Sequence, residues 1–260
     1  MIFDPKDVIE SYSENAERED QAEKGLSLRT EIPRVFIKRY INASDKVLDA
    51  GGGTGINAIM MARLCENVTL LDITPRILDL AKANVENEDL QDRIQIIEGD
   101  ICDLSRFENE QFSFVTCVGD SLSYVLDKRE VALSEIVRVA GKGSILILGC
   151  DSKYGFLRLM MSQGNIEEAR EILNTSETYC GMGPRTHLYT VDEMQNLLER
   201  NGCQLLEVAS TPSLSDTFDI SSFVEMNMWE EIRDIELEIC TKSEILGTGL
   251  HLLFVAQKGM

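Results

Sequence analysis

The run Asp49-Ala50-Gly51-Gly52-Gly53-Thr54-Gly55 combines a carboxylate with four glycines, directly after Val47-Leu48 and before the apolar stretch from Ile56 to Leu64. Glycine lets a ligand lie against the backbone where a Cβ would stand in the way. A helix opening after such a turn offers free N–H groups and a positive dipole end. Strand, glycine turn and helix in that order make a nucleotide-type site. The spacing narrows the ligand. A dinucleotide fingerprint reads G-x-G-x-x-G and sets a pyrophosphate on the helix N-terminus. Here the order is D-x-G-x-G-x-G, and Asp49 would repel a pyrophosphate but attract an ammonium group. Further acids close later apolar runs: Asp72 in NVTLLDI (67–73), Gly99-Asp100 in IQIIEGDI (94–101) and Gly119-Asp120 in QFSFVTCVGD (111–120). An acid about 20 residues past the glycines takes ribose hydroxyls, a role that falls to Asp72, whose two oxygens can accept from both. The chain has two histidines, His187 and His251, and an imidazole can take up a proton near neutral pH.

These residues need a scaffold that brings strand ends together. The apolar runs give strands at 46–48, 67–73, 94–101, 111–120, 144–150, 203–210 and 250–256, the last ending at Lys258. Between them lie helical patterns, including one opened by Thr74-Pro75, with Thr74 as N-cap and proline in the tolerated first position. Another covers 128–139. A third follows the capping box Thr190-Val191-Asp192-Glu193 and ends at Asn201-Gly202. Ahead of the first strand, 7–24 and 30–41 read as helices, with Pro33 in the first turn of the second. Two insertions interrupt the alternation. Residues 151–189 contain helical pieces at 156–161 and 166–173 and a loop through Cys180-Gly181-Met182-Gly183-Pro184. Residues 212–248 hold an amphipathic helix over 223–240, with Phe223, Met226, Trp229, Ile232 and Ile239 apolar.

The Asp49–Gly55 pattern resembles motif I of the class I S-adenosylmethionine-dependent methyltransferases, and the strand-end acids and glycines after it extend the likeness. The resemblance spans about 30–258 and is most specific over 46–150; the flanks are loosely similar to ubiquinone/menaquinone methylases. It implies an α/β, Rossmann-like three-layer sandwich whose seven-stranded, mostly parallel sheet has an antiparallel last strand inserted between the fifth and sixth. A single domain over 1–260 is expected, with N-terminal helices at 1–45, a cofactor-binding core at 46–150, and lid insertions at 151–189 and 212–248. The cofactor implied is S-adenosyl-L-methionine, with Asp49, Gly51, Gly53, Asp72, Ile73, Asp100, Ile101 and Gly119 around it, Asp100 and Ile101 meeting the adenine. Tyr12 and Arg29 are candidates for closing over its methionine carboxylate. The reaction implied is in-line methyl transfer to a small-molecule acceptor, in which alignment and desolvation supply much of the catalysis. Asp120, Tyr124 and His251 are the catalytic candidates. His251 reaches the catalytic edge if the last strand is antiparallel, and His187 is a second candidate for reaching the pocket. Gly119-Asp120-Ser121-Leu122 departs from the Asn/Asp-Pro-Pro-Tyr/Phe motif of amino-methylating nucleic-acid enzymes. Met160, Met161, Met182, Met226, Met228 and Trp229 fall in the insertions, as lid packing or as an adaptable apolar cover.

Bulk composition sets outer limits. The chain of 260 residues carries 25 basic and 45 acidic residues, a formal net charge of −20. That balance argues against nucleic acid or anionic membrane surfaces as partners, since phosphate binders cluster Lys and Arg. No run approaches the ~20 apolar residues of a spanning helix, and the N-terminal stretch lacks a signal-peptide pattern. The seven cysteines form no C-x-x-C pair; they read as small core residues in a reducing cytoplasm, and no metal is expected. Three other readings stand beside the methyltransferase: an NAD-dependent oxidoreductase, a cofactor-binding regulator without turnover, and methylation of a basic protein tail.

Overall fold

A computed structural model describes residues 2–179, 183–215, 224 and 227–260. The expected loop residues Cys180, Gly181 and Met182, and the helix residues Phe223 and Met226, lie outside the described residues. Seven strands form one sheet: β1 (Lys46–Ala50), β2 (Asn67–Asp72), β3 (Ile94–Glu98), β4 (Phe112–Cys117), β5 (Ala140–Asp151), β8 (Cys203–Ser210) and β9 (His251–Lys258). Their order is β3-β2-β1-β4-β5-β9-β8. The first five run parallel, and β9 lies antiparallel between β5 and β8, as the resemblance implied.

Alternation along each strand builds the layers. Leu48, Leu71, Val115 and Leu146 face α7 (Arg129–Val139) and α10 (Val191–Arg200) through Leu133, Ile136, Leu197 and Leu198. Val47, Val68, Leu70 and Phe114 face α3 (Leu28–Tyr40), α4 (Ile56–Ala62) and α5 (Pro75–Asn87) through Ile32, Phe36, Met61 and Ala81. Cys65, Cys117, Cys150, Cys203 and Cys240 are buried and free, as core residues should be.

The polar details differ from expectation. Residues 7–24 are two helices, α1 (Pro5–Glu14) and α2 (Ala16–Lys24), broken at Asn15, whose side-chain amide donates to the Ser11 carbonyl. Helix α3 opens at Leu28, so Pro33 lies inside it and not in its first turn. Thr74 makes no side-chain cap; its N–H donates to Asp72 Oδ1 at 2.9 Å. In the capping box only one half forms: the Glu193 N–H donates to Thr190 Oγ1, while the Glu193 carboxylate turns to His187 and Arg129.

The first insertion holds α8 (Lys153–Ser162), α9 (Ile166–Thr175) and a hairpin the sequence patterning did not show, β6 (Glu177–Tyr179) with β7 (Arg185–His187). Between β4 and α7 lie the short α6 (Ser121–Tyr124) and a 3-10 turn at Leu126–Lys128. The described part of the second insertion carries α11 (Trp229–Ile239). Among the described residues no helix is long and apolar enough to cross a membrane.

Candidate functional site

The chain reverses direction across the sheet at β1: β2 and β3 lie on one side, β4 and β5 on the other. In open α/β sheets ligands bind outside the carboxyl ends of the strands at such a point. The glycine turn sits there and is clamped to the end of β2. The N–H groups of Gly51 and Gly52 donate to the Leu71 carbonyl at 2.7 and 3.0 Å, and Gly53 donates to Asp72 Oδ2 at 3.1 Å. Gly55 donates to the Gly52 carbonyl. A phosphate-binding turn aims such groups at its ligand; here they close the turn on itself. Gly51 must be glycine: its φ is +69°, and a Cβ would stand 2.1 Å from Ser121 Oγ.

Over this turn opens a cleft of about 740 Å³. Asp72 and Ile73 leave β2, Asp100 and Ile101 follow β3, Gly119 and Asp120 follow β4, and Tyr124 lies on α6; all line the cleft with Gly51 and Gly53. Tyr12 of α1 and Arg29 of α3 line it from above. Asp49 lines the adjoining hollow with Gly51, Arg29 and Gly119. Every expected site residue except His251 and His187 therefore borders the cleft or the hollow that shares Arg29, Gly51 and Gly119 with it. Phe3, Val8, Glu19 and Glu23 of the N-terminal segment line it as well, and were not anticipated. An acidic pair four apart on a polar helix ordinarily marks a solvated face, so only the tertiary fold reveals them. Among the described residues the cleft lining runs from residue 3 to residue 125, and the N-terminal helices supply part of its cover. Met160 packs against Phe156 and Leu188, and Trp229 against the α3 side of the core. Met161 and Met228 are exposed.

Carboxylates dominate this space. Asp49 is 1% exposed; its Oδ1 accepts from Thr116 Oγ1 at 2.7 Å, and its Oδ2 is buried without a partner. Burial pushes its carboxyl up to about 6, against the pull of that hydrogen bond. Asp72 is also raised by burial, opposed by the N–H groups of Thr74 and Gly53. Asp100 Oδ1 accepts from the Cys102 N–H at 2.8 Å.

At the β4 exit, Asp120 Oδ2 meets Arg29 Nη2 at 2.6 Å, and its Oδ1 lies 3.0 Å from His251 Nδ1. His251 opens β9 directly opposite Asp151 at the end of β5, with Nδ1 3.2 Å from Asp151 Oδ1. Thr186 of β7 donates to Asp151 Oδ2 at 2.5 Å, and the Asp151 N–H donates to Ser123 Oγ. Burial alone would depress the His251 imidazolium; the Asp120 and Asp151 carboxylates outweigh it and push the ring up to about 9. Burial likewise disfavours the Asp120 anion, but Arg29 and then His251 hold it well below the usual carboxylate range. Arg29 and a ring protonated on both nitrogens balance the two carboxylates. Tyr124 Oη reaches Asp120 Oδ2 at 3.4 Å and Tyr12 donates to Tyr124 at 3.0 Å, so hydroxyls lead from the cleft to this charge cluster.

Two histidine expectations change. His251 is at the catalytic edge, but it stands behind Asp120 and carries its proton at neutral pH, because two carboxylates flank it. His187 lies in β7, 5% exposed, with Nε2 2.8 Å from Glu193 Oε1 and its ring edge-on to Tyr189. It is part of the packing of the hairpin and does not line the cleft. Asp151 and Thr186 were missed, because their meeting with His251 depends on the β5–β9 register and the hairpin.

Fold and site thus define an α/β nucleoside-binding protein whose turn suits a cation rather than a pyrophosphate. Residues 47–143 match the methyltransferase domain family. A demethylmenaquinone methyltransferase of Lactobacillus johnsonii is 35% identical over 150 residues, 54% of this chain and 60% of that protein's length. The tRNA 5-carboxymethoxyuridine methyltransferase of Escherichia coli K12 is 31% identical over 215 residues, covering 82% of this chain and 80% of the relative. Among solved structures, Burkholderia thailandensis 1,6-didemethyltoxoflavin-N1-methyltransferase, with 1,6-didemethyltoxoflavin and S-adenosylhomocysteine bound, superposes with a TM-score of 0.62. That match is 12% identical and covers 100% of this chain and 92% of the other. The chain belongs to the class I S-adenosylmethionine-dependent methyltransferases, and S-adenosylmethionine is its cofactor. The residues present fit that molecule: an orphaned buried oxygen on Asp49 suits a cation, and Asp72, held at the β2 exit by the N–H groups of Gly53 and Thr74, lines the cleft where hydroxyls would arrive.

Proposed function

We propose that the chain methylates a small-molecule acceptor, and that the observation carrying this reading is the charge of the cleft. Glu19, Asp49, Asp72 and Asp120 border it, beside a Glu23 carboxyl that burial keeps largely protonated, with Arg29 tied to Asp120. A polyphosphate acceptor brought to such a mouth meets like charge, on a chain already at −20. When bound, the cofactor supplies an electrophilic methyl group on a sulfonium. Asp49 offers its free oxygen to the cofactor's ammonium, Asp72 takes the ribose hydroxyls, and Asp100 and Ile101 border the adenine. Asp120, fixed as an anion by Arg29 and His251, faces the reacting end of the cleft. Tyr12 and Tyr124 orient the acceptor beside it. The imidazolium of His251 is no base at neutral pH, so the acceptor is an amine, thiol, acidic hydroxyl or carbon nucleophile that needs little help in losing a proton. Residues 151–189 and 212–248 are read as flanking the acceptor side.

The test is transfer of a radiolabelled methyl group from S-adenosylmethionine to three acceptor pools: a small-molecule panel of quinols, phenols, thiols and amines, total tRNA, and ribosomal protein. Label in the small-molecule fraction alone supports the reading. A second reading, a tRNA acceptor, is favoured by the 31% identity that extends over 82% of the chain. Saturable label in tRNA would establish it and overturn the first.

A further inference from the structure

Helix α2 carries two carboxylates into the cleft from outside the sheet. Glu23 lies against the glycine turn: its Oε2 accepts from Thr54 Oγ1 at 2.6 Å, and a Cβ on Gly53 would stand 2.4 Å from its Oε1. Across the turn is Asp49, whose buried Oδ2 has no partner, and both residues line the same hollow. Two guanidinium groups border that hollow, and both are committed. Arg29 pairs with Asp120, while Arg34 donates to Asn57 Oδ1 and to the backbone carbonyl of Glu23. Lys24 turns away to Asp20 and Asn84. Two carboxyl groups therefore flank the turn with no cation between them among the described residues.

We infer that Glu23 is a second receptor for the α-ammonium group of the cofactor, opposite Asp49, and that it takes the cation by releasing its own proton to solvent. The inference rests on the cofactor and not on the acceptor reading. The groups facing Glu23 agree with the proton step: Glu19 on its own helix, Asp49 on β1 and Asp72 on β2 are acidic, against the committed Arg29 and Arg34 of α3. Burial, then the charges of Glu19, Asp49 and Asp72, push the Glu23 carboxyl up to about 8 against the Thr54 hydrogen bond. The carboxyl is thus neutral near pH 7 and ionises when a cation arrives.

Two probes separate this from a structural role. S-Adenosylhomocysteine has the ammonium group, and 5′-methylthioadenosine is the same thionucleoside without the amino-acid end. Titration calorimetry at pH 7 in phosphate and in Tris, whose ionisation enthalpies differ, reads the protons exchanged. The expected result is release of most of one proton with S-adenosylhomocysteine and none with methylthioadenosine. Affinity for S-adenosylhomocysteine should tighten up to about pH 8 and then level. Glu23→Gln should abolish the release and weaken S-adenosylhomocysteine at least tenfold, with methylthioadenosine affinity unchanged. Equal proton exchange with both ligands in the wild-type chain overturns the inference without use of a variant. Equal weakening of both ligands in Glu23→Gln returns the residue to a structural role.

Discussion

The buried His251 gives the protein a pH dependence that can be worked out in advance. In the folded chain the imidazolium is pushed from its ordinary 6.5 up to about 9 by Asp120 and Asp151, against burial. The folded state binds this proton more tightly than the unfolded chain does. Its contribution to stability is therefore complete below pH 6.5 and is lost as pH rises through 9. At about 1.4 kcal/mol per pH unit, that interval corresponds to about 3 kcal/mol. The ring is 12% exposed and Asp151 1%, so solvent screens the contribution little. Raised carboxyls such as Glu23 and Asp49 slope the same way, so the histidine must be isolated by difference. Urea unfolding of wild type and His251→Gln at pH 6 and pH 10 does this. The wild type should lose about 3 kcal/mol more than the variant over that range, with most of the difference falling between pH 7 and pH 9. Parallel stability curves, equal to within about 0.5 kcal/mol, would refute the protonated-ring assignment and the charge balance built on it.

Other substitutions probe the site from different sides. Asp72→Ala should weaken S-adenosylhomocysteine binding by about 1–3 kcal/mol, as hydroxyls brought to the β2 exit lose their acceptor, measured by calorimetry on a variant with native circular dichroism. Gly51→Ala should cost about 2–4 kcal/mol in urea unfolding, combining a positive φ with a Cβ overlapping Ser121; a neutral result would mean that the turn can shift. Thr186→Val removes the hydroxyl on Asp151 Oδ2 and should cost about 1 kcal/mol. It should also raise the histidine further, seen as an upward move of its NMR titration midpoint, because the less-solvated Asp151 anion leans harder on the ring.

The sheet and its ligand edge were legible because the same features write both. The parallel strands read as largely apolar runs, and acids stand at or just past their ends: Asp72 closes β2, Asp100 follows β3 and Asp120 follows β4. Position along the strand therefore implies position in the cleft. The antiparallel β9 followed from resemblance, and with it the placement of His251 at the edge. What could not be read were meetings between distant short pieces. Strands of three residues, as in β6 and β7, are too short to show alternation, so Thr186 had no visible reason to approach Asp151. The protonation of His251 depends on two carboxylates at β4 and β5 exits that lie far away in sequence. The acids of α2 look like any solvated helix face until α2 is laid over the turn. Local polar competition was equally hidden. Asp72 takes the Thr74 N–H, and His187 draws Glu193 away from its own helix start.

The place of β9 in the sheet also bears on how the molecule is made. It is last in sequence among the seven strands but interior in the sheet, hydrogen-bonded to β5 on one side and β8 on the other. As the chain emerges from the ribosome, β1 to β4 and the glycine turn can assemble early. During that time β5 and β8 each present an unpaired edge, the kind of surface on which chains associate wrongly. Only when residues 251–258 arrive are both edges sealed, and the same event delivers His251 between Asp120 and Asp151. Until that last strand docks, Asp120 and Asp151 stand at the β4 and β5 exits without the imidazole that lies between them in the folded chain.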